Sequence, residues 1–158
     1  MAKTLAEYFG QVRSSDVHPY GFGEVLDFLN GEDSASQSYD WVITNPPFRL
    51  AEEFARRAIR QSSIGSAMLV RTNFIEGVGR FNRLFREKPP AIVAQFVERV
   101  PILRGRVDPL ASTAKGYCWL VWHSDCRDQT RLVWIPPCRR ALEREGDYDL
   151  PGGSFASA

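Results

Sequence analysis

Apolar residues recur with two periods along this chain, and the alternation between them sketches a fold. Leu5, Tyr8 and Phe9 share one face of a short helix over residues 1–10, which Gly10 is placed to close. Val12–Ser15 reads as a brief strand ending at Asp16, and Glu24–Leu29 as a second around Asp27, with a Gly- and Pro-punctuated loop between them. Residues 30–38 are polar and turn-forming. Asp40-Trp-Val-Ile-Thr44 is a compact β-branched run, the pattern of a buried strand. Asn45-Pro-Pro-Phe48 breaks it, because successive prolines remove two backbone donors. A helix over 48–61 follows, with Leu50, Ala51, Phe54, Ala55, Ala58 and Ile59 as its apolar stripe. Beyond it the pattern predicts strands at Ser66–Arg71, Ala91–Val97, Gly116–Trp122 and Arg131–Ile135, a helix at 79–87, and a long irregular basic segment from Arg99 to Ala114.

Strands alternating with amphipathic helices predict an α/β sheet with helices on both faces. The late strands follow one another without helices, which predicts an antiparallel hairpin at one edge. The 158 residues suit a single domain over 1–145 with a Gly/Ser tail over 146–158. A 44% hydrophobic, 25% charged composition is too apolar for disorder. The longest apolar runs, Ala67–Val70 and Tyr117–Trp122, fall far short of the roughly 20 residues of a membrane helix. No basic-then-apolar segment opens the sequence, so the expected location is the cytoplasm. Cys118, Cys126 and Cys138 form no CxxC pair, and neither a zinc site nor a disulfide framework is expected.

Charge is unevenly spread. Residues 1–48 hold two basic groups against seven acids, whereas residues 49–144 hold eighteen against nine. Two readings of this division stay open: a codon bias toward Arg with no further meaning, or a basic middle that faces phosphates and an acidic front that faces cations or hydroxyls. Arg49, Arg80, Arg83, Arg104 and Arg106 are the residues placed to line a nucleic-acid backbone; the bland reading of any one of them is a solvated arginine. His18, His123, Trp119 and Trp122 read as structural, and the sequence leaves open whether Asn73 and Glu76 reach a cleft.

Ligands of open α/β sheets bind beyond the carboxyl ends of the strands, and Asp16, Asp27 and Asn45 all fall at or near such ends. A strand ending in Pro-Pro projects its last side chain and carbonyls rigidly. The Asn45 amide oxygen and the Pro46 carbonyl are then two fixed acceptors, suited to a planar amine with two N–H donors. Phe48 adds a flat apolar face for a heterocycle. With both protons held, an exocyclic nitrogen can turn a lone pair toward an electrophile without a strong base.

Asp40-Trp-Val-Ile-Thr-Asn45-Pro46-Pro47-Phe48 resembles the fourth motif of the S-adenosylmethionine-dependent N6-adenine DNA methyltransferases, a hydrophobic strand followed by Asp/Asn/Ser-Pro-Pro-Tyr/Phe. The resemblance extends more loosely to about residue 122. It implies a Rossmann-like class I methyltransferase fold, a three-layer sandwich with strand order 3-2-1-4-5-7-6. It also implies S-adenosyl-L-methionine as cofactor, with Asp16 on its ribose hydroxyls, Asp27 on its adenine amine, and Asn45, Pro46, Pro47 and Phe48 as the catalytic set. DNA is the implied partner, its target adenine flipped out of the duplex. RNA guanine amines and protein glutamine are alternative acceptors, since Asn-Pro-Pro-Phe/Tyr also occurs in such enzymes. A non-catalytic nucleic-acid-binding remnant is the reading from outside enzymology. The sequence departs from the family in lacking the central first strand and its glycine-rich loop. That predicts one of three outcomes: the sheet re-pairs, a second copy fills the slot as a homodimer, or the natural protein starts further upstream, the last being the preferred expectation.

Overall fold

A computed structural model of the chain describes residues 1–30, 39–102, 110–125 and 129–145. They fall into two compact units divided at Tyr39.

The first unit opens with helix α1 (Ala2–Leu5), shorter than its apolar stripe predicts. Tyr8 is 77% exposed, so the stripe buries little, and a helix of this length has nothing to offset its nucleation cost. Two strands of two residues each, β1 (Ser15–Asp16) and β2 (Glu24–Val25), pair in parallel with Asp16 opposite Val25. Arg13 braces them through a two-pronged bond to the Glu24 carboxylate at 2.9 and 2.7 Å, which holds that carboxyl below its ordinary range.

The second unit is a five-stranded mixed sheet with a few helices: an α/β protein. Strand β3 (Tyr39–Thr44) leads through Asn45–Leu50 into helix α2 (Ala51–Gln61) and strand β4 (Ser62–Arg71). A 3-10 turn (Thr72–Ile75) precedes a short helix, α3 (Val78–Arg80), which widens into a π turn at Phe81–Phe85. Then come β5 (Ile92–Phe96), β6 (Tyr117–His123), β7 (Arg131–Ile135) and α4 (Arg139–Leu142). The spatial order is β3-β4-β6-β5-β7. β3 lies parallel to β4 and β7 to β5, while β6 runs against both of its neighbours, β4 and β5.

The antiparallel element is therefore not an edge hairpin, as the order of late strands predicts. β6 is inserted between β4 and β5, and the edge belongs to β7. The burial of the two strands explains the difference. Cys118, Leu120 and Trp122 of β6 enter the core while Tyr117, on its other face, is also buried, as a central strand requires. Leu132 and Trp134 of β7 are 54% and 62% exposed, which an edge tolerates.

The core lies on one sheet face. Met68 and Val70 of β4 sit opposite Leu120 and Cys118 of β6, and Val93 of β5 lies opposite Leu120. Ala51 and Ala55 of α2 pack against them with Phe74, Leu84 and Trp122. Small residues on α2 let the helix lie close to the sheet, and Phe54 and Ile59 fill its flanks. Burial pushes the Cys118 thiol up to about 11, so it stays an inert core residue at neutral pH. Gly65 is dictated by packing. A Cβ there would meet the Trp41 ring at 2.8 Å and the Trp122 carbonyl at 2.5 Å, so glycine is what lets Trp41 lie across β4.

Within the sheet β3 has one hydrogen-bonded neighbour, β4, and β1 pairs only with β2, so among the described residues the sheet does not re-pair. No described helix is long and apolar enough to cross a membrane.

Candidate active site

β3 stops where proline begins. Pro46 is buried and fixes the corner, while Asn45, Pro47 and Phe48 are exposed, which makes the corner an open ledge. The turn into α2 consumes one carbonyl, that of Pro47, which accepts from Leu50 N–H at 2.9 Å. Nothing among the described residues donates to the Pro46 carbonyl or to the Asn45 amide. Among the described residues neither of the two acceptors predicted from Pro-Pro is engaged, although Pro46 itself is buried.

The Phe48 ring, 41% exposed, meets two residues from the carboxyl end of β4 and the start of β6. The Tyr117 ring lies 6.3 Å away, tilted by 36°. The Arg71 guanidinium rests over the Phe48 ring, 3.9 Å from its centroid, so one face is already covered by a cation. Arg71 and Tyr117 sit opposite each other in the β4–β6 ladder. The strand end beneath them is pinned. Thr72 N–H donates to the Gly116 carbonyl at 3.0 Å, and Thr72 Oγ1 donates to Gln95 Oε1 at 3.1 Å. Gly116 is needed for this approach, since a Cβ would stand 2.9 Å from the Thr72 hydroxyl. Sequence reading missed Arg71 and Tyr117. The available signal was a charged residue closing an apolar strand at the same sheet edge as Asn45.

The two acids of the first unit lie as expected at the ends of adjacent parallel strands. Asp16 closes β1, and its Oδ1 accepts from His18 N–H at 2.9 Å, leaving Oδ2 open. Asp27 follows β2 by two residues; its oxygens accept from Leu29 N–H at 2.9 Å and Asn30 Nδ2 at 2.7 Å. Each carboxylate keeps lone pairs for a further donor.

The arginines differ in what they have left to offer. Arg83 grips Glu52 of α2 with both prongs at 2.9 Å, and this bond holds the Glu52 carboxyl below its ordinary range. Arg80 donates to the Phe74 and Glu76 carbonyls at 2.5 and 2.7 Å and lies over the Phe74 ring, tying the 3-10 turn to α3. Arg49, exposed beside Phe48, makes no ion pair or hydrogen bond with described residues. Arg104 and Arg106 lie outside the described residues.

The His123 ring lies 5.9 Å from that of Trp41, tilted by 58°, and Trp122 donates to the Lys88 carbonyl from within the core. Asn73 and Glu76 are exposed. No described group of His, Cys, Asp or Glu could hold a metal ion. A hollow of about 280 Å³ lies apart from the ledge, lined by Phe96, Val100, Cys138 and Leu142 with Glu98 at its rim. Glu98 is spent there on the Cys138 and Arg139 N–H groups, both at 2.7 Å.

No protein-family model matches this chain, and no curated protein matches it in sequence.

Proposed function

We propose that this chain is a methyltransferase that carries a methyl group from S-adenosyl-L-methionine to the exocyclic N6 amine of adenine in DNA. The observation that carries the reading is the pair of unengaged acceptors, Asn45 Oδ1 and Pro46 O, on a proline-fixed ledge beside the open part of the Phe48 ring.

Two further features support it. Four of the five strands, β3-β4-β6-β5 with β6 reversed, follow the order 4-5-7-6 expected for one half of a Rossmann-like class I methyltransferase, while β7 beyond β5 has no counterpart in that order. The carboxylates of Asp16 and Asp27, at the carboxyl ends of paired parallel strands, fit the ribose hydroxyls and adenine amine of the donor.

When bound, the sulfonium donor supplies an electrophilic methyl carbon. The chain's part is to hold the amine. Phe48 stacks the base, and Asn45 Oδ1 and Pro46 O accept its two N–H bonds. The N–H bonds are thereby drawn out of the ring plane, so the nitrogen rehybridises toward sp³ and its lone pair leaves conjugation with the ring. On transfer the amine nitrogen would gain the methyl carbon as that carbon's bond to sulfur breaks, the electron pair leaving with sulfur, and the proton then shed by nitrogen would pass to water. The preorganised acceptors stabilise the positive charge that develops on nitrogen, a contribution of roughly 3 kcal/mol for one well-placed partner.

Transfer of tritium from labelled donor to unmethylated DNA, RNA and a release factor tests the acceptor. Label in DNA alone supports the proposal. Label in RNA or protein moves the activity to another acceptor, and no label with no calorimetric heat at millimolar donor leaves a nucleic-acid-binding remnant.

A further inference from the structure

Arg71 is unlike the other strongly engaged arginines of the chain. Arg13 and Arg83 answer carboxylates, and Arg80 answers carbonyls. Arg71 stands half-buried at the end of a strand whose previous residue, Val70, is fully enclosed. Its Nε, like that of Arg80, is buried without a hydrogen-bond partner; unlike Arg80, it has no described carboxylate or carbonyl on the rest of its fork. Among the described residues its guanidinium rests on the Phe48 ring, 3.9 Å from the centroid. A partly desolvated cation left unpaired is costly, and a ring face offsets only part of that cost. The backbone around it is nevertheless held rigidly by the Thr72–Gly116 and Thr72–Gln95 bonds. The site keeps in place a charged fork to which no described residue offers a hydrogen-bond acceptor.

We infer that Arg71 is the anion-recognition residue of the ledge. It receives the phosphodiester that adjoins the base stacked on Phe48. The planar guanidinium suits two phosphate oxygens at once, and stacking on Phe48 fixes the plane of the fork before the ligand arrives. Exposed Arg49, on the other side of Phe48 in sequence, adds a second positive group to the same ledge. The inference rests on the nucleic-acid reading above, but its test is separate from catalysis.

The test is anisotropy of a labelled adenine-containing single-stranded oligodeoxynucleotide across a salt series. Four proteins are compared: the parent, Arg71→Gln, Arg71→Lys, and Arg140→Gln on exposed α4 as a control. Arg71→Gln is expected to weaken binding roughly tenfold and to flatten the dependence of log K on log salt by about 0.7. Arg71→Lys keeps the slope and recovers only part of the affinity. Arg140→Gln matches the parent. Thermal melting of Arg71→Gln is expected to equal or exceed that of the parent, because an unpaired cation has been removed.

The inference is overturned if the parent does not bind the oligonucleotide, or if Arg71→Gln leaves affinity and slope unchanged. It is also overturned if Arg71→Gln loses affinity for the donor instead, since the anion would then be the donor's carboxylate. An Arg71-dependent slope in a protein that methylates nothing keeps the phosphate contact and ends the methylation reading; active methylation with an unaltered slope does the reverse.

Discussion

In the proposed reaction Asn45, Pro46 and Phe48 carry the chemistry, and each was legible in the sequence because proline constrains what its neighbours can do. A Pro-Pro pair cannot continue a ladder, so the strand end, the free carbonyl and the projecting amide were all readable before any coordinates. Phe48→Ala is expected to weaken adenine-substrate binding by about 1–3 kcal/mol, the range for one stacked base, with folding intact by circular dichroism. The grouping of Arg71 and Tyr117 with Phe48 was not legible, because it depends on β4 lying beside β3 and β6 beside β4, long-range pairings that local pattern does not reveal. Gly65 belongs to the same class, being explained by the Trp41 ring that crosses it. Gly65→Ala is expected to lower stability by about 1–3 kcal/mol in urea unfolding, as overpacking does. A neutral result would mean that Trp41 can move aside.

Elements with a strong periodic signal came out nearly as read. β7 is bounded as expected at Arg131–Ile135, and α2 buries Ala51, Ala55 and Ala58 of its expected stripe. α1 failed for want of a surface to pack on, and β4 reaches back to Ser62 because pairing with β3 imposes extended backbone on polar residues. The position of β6 was the larger miss. An unbroken run of apolar residues on both faces is the mark of a central strand, and Tyr117–Trp122 carries it. Between elements, the Glu52–Arg83 bond ties α2 to the π turn. The Glu52 carboxyl is held below its ordinary 4.5 in the folded chain. Its contribution to stability is therefore complete above that pH and is lost as pH falls through the lowered folded value. The melting temperature is expected to drop on acidification below about pH 4.5. Glu52→Gln is expected to melt lower at neutral pH and to flatten that acid slope; an acid slope identical to the parent's would remove the pair from the account.

At the scale of the molecule, the charge division read from the sequence corresponds to an acidic first unit and a basic second one. The acidic unit holds Asp16 and Asp27 at the ends of its parallel strands, and the basic unit holds the ledge. Such a division suits a donor rich in hydroxyls and an acceptor rich in phosphates, and it was visible from residue counts alone. The sheet order was not, since a single sequence records which strands follow one another and not which ones pair. The central claim is that two fixed oxygens on the ledge grip an amine during methyl transfer. It is tested most directly by comparing the parent with Asn45→Ala, using labelled donor and unmethylated DNA, and scoring N6-methyladenine after digestion to nucleosides. The account predicts labelled N6-methyladenine from the parent and none from Asn45→Ala, with donor binding by calorimetry nearly equal in the two. An Asn45→Ala variant that methylates adenine as well as the parent would contradict it.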